Sequence, residues 1–441
     1  MNNPEELFLR RFFAVLNEQK IRYAVMRNSE TLPETLGGSD LDVFAYDEDE
    51  GWKVFAVAGE IAAELNGKCV CRYIADEIVA CFCGRHADGT FWGLHIDIVT
   101  GVKHRGFSYV DTEAFFADRI LEKDSFYRSG RLSDIVSFLK EICCNHKTKK
   151  NYYELALAAF ASEPERIRCA IQGVCGDTVW AKIEWLLITK RPDAEIAEVS
   201  RRLDSAFAFR AGIRNWFVNA WRRMRRVFIR PGFTVAFLGT DGSGKSTLIE
   251  SVKEPIERML HSKVHYEHLR PNMLPSLARL ARKPQKEGPT TDPHGGKVAG
   301  RISSLVRFAY YYVDYIVGYW LKIYPILVKR PSMVFFDRYY YEYMIDPRRC
   351  AVRLPCGWAR FWSWFIPKPD LILCLGGDPE KIYARKPETS LEEVRRQVGE
   401  LKKFCDGNKR AMWIDTTTSI EASRDAALMA ITKRMAERYS G

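Results

Sequence analysis

Thr234-Val235-Ala236-Phe237-Leu238-Gly239-Thr240-Asp241-Gly242-Ser243-Gly244-Lys245-Ser246-Thr247 is the stretch whose reading decides the fold of the C-terminal half. Its first five residues form a continuous apolar run, the pattern of a central strand buried on both faces of a parallel sheet. The run feeds directly into a complete glycine-rich phosphate-loop sequence, and the helix-compatible Thr247-Leu248-Ile249-Glu250 follows. Each residue type has a chemical reason. Glycines let backbone N–H groups curl around phosphate oxygens, and the following helix N-terminus adds favourable partial charge. In such a loop Lys245 reaches the β/γ-phosphate oxygens of ATP and the Ser246 hydroxyl ligates Mg²⁺. The expected nucleotide contacts are therefore Gly239, Thr240, Asp241, Gly242, Ser243, Gly244, Lys245, Ser246 and Thr247.

Working outward, Met333-Val334-Phe335-Phe336 reads as a second buried strand ending on Asp337-Arg338-Tyr339, and Leu371 to Leu375 as a third. Val264 to Leu269 is a further candidate strand, ending at the same crevice, and leads to Arg270. Ligands of open α/β sheets sit beyond the carboxyl ends of such strands. Asp337 is thus placed to orient a Mg²⁺-bound water or the acceptor. Arg338 and Arg270 are candidates for an acceptor phosphate or carboxylate, because a guanidinium fork binds such groups bidentately. Pairing of Asp337 and Arg338 with each other alone is the competing reading.

Taken together, the loop Thr240 to Thr247, the strand end Phe336-Asp337-Arg338-Tyr339 and the text Pro369-Asp370-Leu371 to Asp378-Pro379-Glu380 resemble thymidylate kinase over roughly the last 210 residues. The resemblance implies a nucleoside-monophosphate-kinase fold with a mobile lid. Where the phosphate loop of that family lacks an arginine, as here, the lid supplies it. Ala384-Arg385-Lys386-Pro387-Glu388, continuing to Glu393, Arg395 and Arg396, falls where the lid belongs, so the resemblance assigns Arg385, with Arg395 or Arg396 next, to the transferring phosphoryl group. The sequence departs from the family after Tyr339, where Tyr340-Tyr341-Glu342-Tyr343-Met344 replaces base-recognition text, and at Gly376, where an aspartate is usual. Thymine recognition is therefore unsupported. With His268-Leu269-Arg270-Pro271 and Asp292-Pro293-His294, the longer text resembles a divergent thymidylate-kinase-like group found among bacterial surface-polysaccharide proteins.

The N-terminal part has its own acidic motif. Gly38-Ser39-Asp40-Leu41-Asp42-Val43-Phe44 puts two carboxylates on one face of a strand start, since alternate residues point the same way. Asp97, in Leu94-His95-Ile96-Asp97-Ile98-Val99, is the candidate third from a neighbouring strand, and three such carboxylates can hold two Mg²⁺ for nucleotidyl transfer. The pattern over roughly residues 20 to 105 resembles the nucleotidyltransferase superfamily of antibiotic-modifying adenylyltransferases. That family's Gly-Ser pair after the first strand is here Arg27-Asn28-Ser29. An inactive binding domain with surface acids is the alternative. Cys69-x-Cys71 and Cys81-x-Cys83 do not have common zinc spacing and read as buried thiols of a reduced hairpin.

Length and composition frame these motifs. A chain of 441 residues, 47% hydrophobic, exceeds one ordinary core at roughly 150 residues per domain. The expected organisation is an α+β nucleotidyltransferase-like domain at 1–111, a helical middle segment and basic linker helix at 112–230, and an α/β parallel-sheet phosphate-loop kinase domain at 231–441. Within the linker, Ile213, Phe217, Trp221, Met224 and Phe228 recur at helical steps, flanked by Arg214, Arg222, Arg223, Arg225, Arg226 and Arg230. The spacing predicts a helix packed by its apolar stripe, with weak contact to a membrane surface or polyanion as the alternative. A net charge of +11 favours anionic partners, but no nucleic-acid module accompanies it, so no specific nucleic acid is expected. Met1-Asn2-Asn3-Pro4-Glu5-Glu6 lacks a secretory pattern, so a cytoplasmic chain without disulfides is expected despite 12 cysteines. The aromatic stretch Leu305 to Val328 carries Arg307, Asp314 and Lys322, which argues against a membrane span. Function is expected to be ATP-dependent phosphoryl transfer to a small anionic acceptor; a nucleotide-gated interaction protein with little turnover is the other class that fits.

Overall fold

The computed structural model describes residues 3–439 apart from 75–76, 87, 145, 147, 276–299, 348 and 351–354. The motif Asp292-Pro293-His294 lies outside the described residues. The chain divides into two compact units, Met1–Phe228 and Ile229–Gly441.

The first unit is built on a seven-stranded sheet of order β3-β4-β5-β2-β1-β9-β8. Chain order runs α1 (Pro4–Glu18), β1 (Tyr23–Val25), β2 (Leu41–Ala45), α2 (Glu48–Glu64), β3 (Gly67–Ile74), β4 (Glu77–Arg85) and β5 (Phe91–Thr100), followed by the small ribbon β6 (Lys103–His104) and β7 (Phe107–Ser108), then α3 (Thr112–Ala117), β8 (Ile120–Glu122) and β9 (Phe126–Arg128). The helices α4 (Leu132–Cys144), α5 (Lys150–Ser162), α6 (Pro164–Cys175), α7 (Asp177–Ile188) and α8 (Asp193–Phe228) complete it. Phe8, Phe12 and Phe13 of α1 and Val54 and Ile61 of α2 bury against one sheet face. The later helices share a second core with Met26, Phe44 and Val102. The boundary expected at 111 is therefore not a break in packing: β8 and β9 add to the sheet, and residues 112–207 bury apolar area together with sheet residues. That coupling runs between positions far apart in the chain, so helical periodicity alone does not reveal it. Among the described cysteines no disulfide forms.

Helix α8 is interrupted at Gly212, whose φ of 74° and ψ of 171° are not helical. Before the break, Ile196, Leu203 and Phe207 are buried; after it, the expected packing is reversed. Ile213, Phe217, Trp221, Met224 and Phe228 are all exposed, whereas Asn215, Asn219, Arg222 and Arg226 are half-buried.

The second unit is a mixed α/β body around a five-stranded, all-parallel sheet, order β11-β12-β10-β13-β14. Its strands are β10 (Phe233–Gly239), β11 (His265–His268), β12 (Met333–Asp337), β13 (Leu371–Gly376) and β14 (Ala411–Asp415), with α9 (Lys245–Leu260) leaving the loop after β10. Every residue of β10, β12 and β13 is buried, which is why these strands read as continuous apolar runs. The aromatic stretch forms Arg301–Gly318, a π-helical turn at Tyr319–Ile323 and Tyr324–Lys329. Among the described residues no helix is long and apolar enough to cross a membrane.

A charged clamp ties the amino end of β10 to the amino end of β13. Asp370 accepts hydrogen bonds from Thr234 N at 2.8 Å and Thr234 Oγ1 at 2.9 Å, and pairs with Arg230 at 2.9 Å and with Arg438. Burial works against its ionised form, but Arg438 and Arg230 outweigh it and hold the carboxyl below its ordinary value. Asp370→Ala leaves two guanidinium groups without their shared anion, and removing one partner of a buried pair costs about 3–5 kcal/mol. Urea denaturation of the full chain, followed by a probe in the second unit, is expected to show that loss; an unchanged midpoint would show the clamp to be inert.

Candidate functional site

The loop after β10 is a backbone cradle made possible by local geometry. Gly242 and Gly244 take φ of 79° and 73°, the left-handed region that side chains disfavour. A Cβ at Gly239 would lie 2.6 Å from Ser243 Oγ and 2.9 Å from Leu375 O. Helix α9 begins at Lys245 with no side-chain cap, so its first-turn N–H groups face the loop. Ser246 and Thr247 are exposed on that first turn, whereas Lys245 is buried.

The polar atoms in this cradle are left incomplete. Thr240 Oγ1, Ser243 Oγ and Asp337 Oδ1 are buried without a hydrogen-bond partner, and the nearest approach of Lys245 Nζ to Asp337 is 3.9 Å. Burial, with the neighbouring Arg338 charge, brings the Lys245 ammonium down to about 8 in spite of Asp337. A buried cation and orphaned hydroxyls at a helix N-terminus form a donor set suited to a polyphosphate. Ser246 and Asp337 offer the hard oxygens that Mg²⁺ prefers.

Parallel pairing brings Asp337 to this loop, since Phe237 of β10 is in register with Asp337 of β12. Asp337 Oδ2 accepts from Tyr266 Oη at 2.8 Å and lies 3.5 Å from His268 Nδ1, both on β11. Burial opposes ionisation of Asp337, but His268, Lys245 and Tyr266 together hold its carboxyl well below the usual range. Tyr266 and His268 were not expected at the site; they arrive because β11 lies parallel to β12 with His268 opposite Asp337.

The arginines are placed differently from expectation. Arg338, at φ 71°, is buried and donates to Asp241 Oδ1 at 2.7 Å, Glu342 Oε2 at 3.1 Å and Gly239 O at 3.4 Å. It pairs neither solely with Asp337 nor with open space, but locks Asp241 of the loop from below. Arg349 grips the same carboxylate at 3.0 Å. Burial opposes the ionised form of Asp241, and Arg349 and Arg338 overcome it and keep the carboxyl below its ordinary value. Arg270, expected at the acceptor, instead pairs with the fully buried Asp314 at 2.5 Å, donates to Leu274 O at 3.2 Å and lies against Tyr311. Asp314 also accepts from Met273 N and Leu274 N, so this pair shapes the chain after β11 rather than presenting a charge. Arg385, ending the helix Pro379–Arg385, donates to Thr416 O at 2.8 Å. Arg395 pairs with Glu380 and Arg396 with Glu393, both on the surface. The segment carrying Arg385 does border the loop: a Cβ at Gly242 would meet Ile382 O at 2.7 Å and Lys386 Cβ at 3.1 Å.

In the first unit Asp40, Asp42 and Asp97 come together. Asp42 and Asp97 are register partners of the parallel pair β2 and β5, and one carboxylate oxygen from each of the three lies within 4.8 Å of the others. Among the described residues this is the only such gathering of metal-ligating side chains, and it includes no cysteine. Asp42 is paired with Arg27, and Asp97 with His95 at 2.7 Å. Burial, resisted by His95, raises the Asp97 carboxyl, a condition that a bound cation would relieve. Beside the acids a cavity of about 340 Å³ is lined in part by Arg27, Glu77, Asp97, Lys103 and Lys140. Three carboxylates are the ligand chemistry of Mg²⁺, with Arg27 and His95 as the groups that would yield.

Comparison with protein-family models and with curated proteins finds no match to this chain.

The buried Lys245 has a consequence for stability. Its unfolded form binds a proton up to the ordinary lysine range near 10.4, its folded form only to about 8. Charged Lys245 therefore weakens the ligand-free fold at all pH below about 8, and the penalty fades as pH rises toward the unfolded value. Lys245→Met, which keeps the apolar stem, is expected to raise the ligand-free melting temperature by a few degrees at neutral pH. A lowered melting temperature would contradict the burial argument.

Proposed function

We propose that the second unit binds ATP with Mg²⁺ at the loop Gly239 to Thr247 and transfers the γ-phosphoryl group to a small anionic acceptor, in the manner of nucleoside-monophosphate kinases. The observation that carries this reading is the set of unsatisfied groups, Thr240 Oγ1, Ser243 Oγ and Asp337 Oδ1, in the same loop and strand end as a buried lysine. Lys245 and the first-turn N–H groups of α9 bind and orient the phosphates. Ser246, with Asp337 behind it, would hold Mg²⁺, which neutralises charge developing between the β- and γ-oxygens. Asp241, gripped by Arg338 and Arg349, keeps the loop in its cradle shape. Arg385 reaches the phosphoryl group only by exchanging Thr416 O for it, which fits a lid that completes the site on closing.

The acceptor reading rests on Arg338 and Arg349, for which an incoming anion would compete with their shared carboxylate, Asp241. Thymidine monophosphate is a poor candidate. Tyr339, Tyr340 and Tyr343 are buried in the core, Tyr339 and Tyr340 with hydroxyls donating to Pro367 O and Ala359 O, which leaves these three side chains no part in reading a base. A labelled-ATP screen across nucleoside monophosphates, sugars and sugar phosphates tests the class of acceptor.

Two variants check the reading. Lys245→Met is expected to lower turnover by on the order of 10²-fold or more. In the unmodified chain, ATP affinity is expected to be greatest below pH 8 and to fall above it, approaching about tenfold per pH unit, because bound phosphate demands the protonated lysine. A pH-independent affinity, or full turnover by a folded Lys245→Met chain, would refute the loop's role.

A second reading concerns the first unit, where the Asp42–Asp97 register favours two-metal nucleotidyl transfer. Asp42→Asn is expected to abolish Mg²⁺-dependent transfer from nucleoside triphosphates while leaving phosphoryl transfer by the second unit intact. Equal loss of both activities would instead indicate a folding defect.

A further inference from the structure

The segment after Gly212 has its polarity reversed relative to an ordinary packed helix. At 100° per residue, Trp216, Val227, Ala220, Ile213, Met224, Phe217, Phe228 and Trp221 fall on one side, with no charged residue among them. The opposite side holds the segment to its own unit: Asn215 Nδ2 donates to Gly106 O at 3.3 Å, Asn219 Nδ2 donates to Arg105 O at 3.1 Å, and Arg226 bonds Tyr73 Oη. Polar anchoring on that side turns the apolar side outward. Ile213 is 76% exposed, Trp216 63%, Phe217 60%, Trp221 62% and Phe228 80%. Leaving this much contiguous aromatic surface in water is costly, and such patches mark interaction sites.

Charge identifies the occupant. No Asp or Glu occurs between Asp204 and Asp241, while Arg210, Arg214, Arg222, Arg223, Arg225 and Arg226 lie in or just before the segment. Arg214, Arg223 and Arg225 are exposed and stand at the borders of the apolar side, where side chains of an interfacial helix meet headgroups. Arg230 is not part of this set, because it is committed to Asp370. Tryptophans beside arginines suit the boundary between acyl chains and headgroups. The segment is only about 24 Å long at 1.5 Å per residue, and its arginines bar it from crossing. We propose that residues 213–228 form an amphipathic foot that lies in the surface of an anionic lipid bilayer, with Trp216, Phe217, Trp221 and Phe228 inserted and Arg214, Arg223 and Arg225 on lipid phosphates.

The full chain should float with phosphatidylcholine vesicles containing phosphatidylglycerol and not with phosphatidylcholine alone, with a blue shift of tryptophan emission. Trp221→Glu, at an exposed position, should lower vesicle affinity about tenfold or more while leaving circular dichroism and ATP binding unchanged. Arg223→Gln with Arg225→Gln should lower it by about fivefold per charge, and added salt should mimic that change. The proposal is overturned by no vesicle binding by a folded chain, by equal binding by the wild type and Trp221→Glu, or by a wild-type dimer, dissociated by Trp221→Glu, that does not bind vesicles. Capture by heparin without vesicle binding likewise overturns it, since a polyanion needs no apolar face.

Discussion

A lysine ammonium held inside the protein, 3.9 Å from its nearest carboxylate oxygen, is the constraint around which the second unit is arranged. Keeping it there requires a strand that ends at the right depth, glycines that let the chain turn beneath it, and a neighbouring strand that delivers Asp337. The parallel order β11-β12-β10-β13-β14 meets all three demands at the carboxyl ends of its central strands. Around the opposite end, the Asp370 clamp joins the starts of β10 and β13 to Arg230 and Arg438, so the strand bearing the loop is fixed at its base. The unsatisfied atoms are tolerable because they are gathered where an anion would satisfy them together.

How much of this was legible in the sequence follows from the range of each interaction. The loop and the three central strands are encoded locally, by glycines at fixed positions and by apolar runs buried on both faces. β14 was not anticipated: it is a short edge strand whose residues are only partly buried, so no continuous apolar run marks it. The three acids were legible as a group because strand alternation and parallel register both follow from simple geometry. Arg270 and Arg338 were not. Asp314, the partner of Arg270, and Asp241, which Arg338 grips besides its near neighbour Glu342, lie 44 and 97 positions away, and no spacing rule announces such distant partners.

The helix after Gly212 teaches a complementary point. Its amphipathic spacing was plain, but spacing states only that two sides differ; which side meets the protein depends on Gly106 O, Arg105 O and Tyr73, all distant in sequence. An apolar stripe is ordinarily read as the packed one because hydrophobic burial usually outweighs a few amide hydrogen bonds. Here the amides determine orientation.

Gly212 also bears on how such a chain can change over generations. A single positive-φ residue within α8 resets the helical phase, so the periodicity of residues 213–228 is independent of that of residues 193–211. Substitutions that rotate, shorten or recharge the distal part need not disturb Ile196, Leu203 or Phe207 in the core. The break therefore acts as an insulator: a substitution in the outward segment is not transmitted to the buried half through a continuous helix.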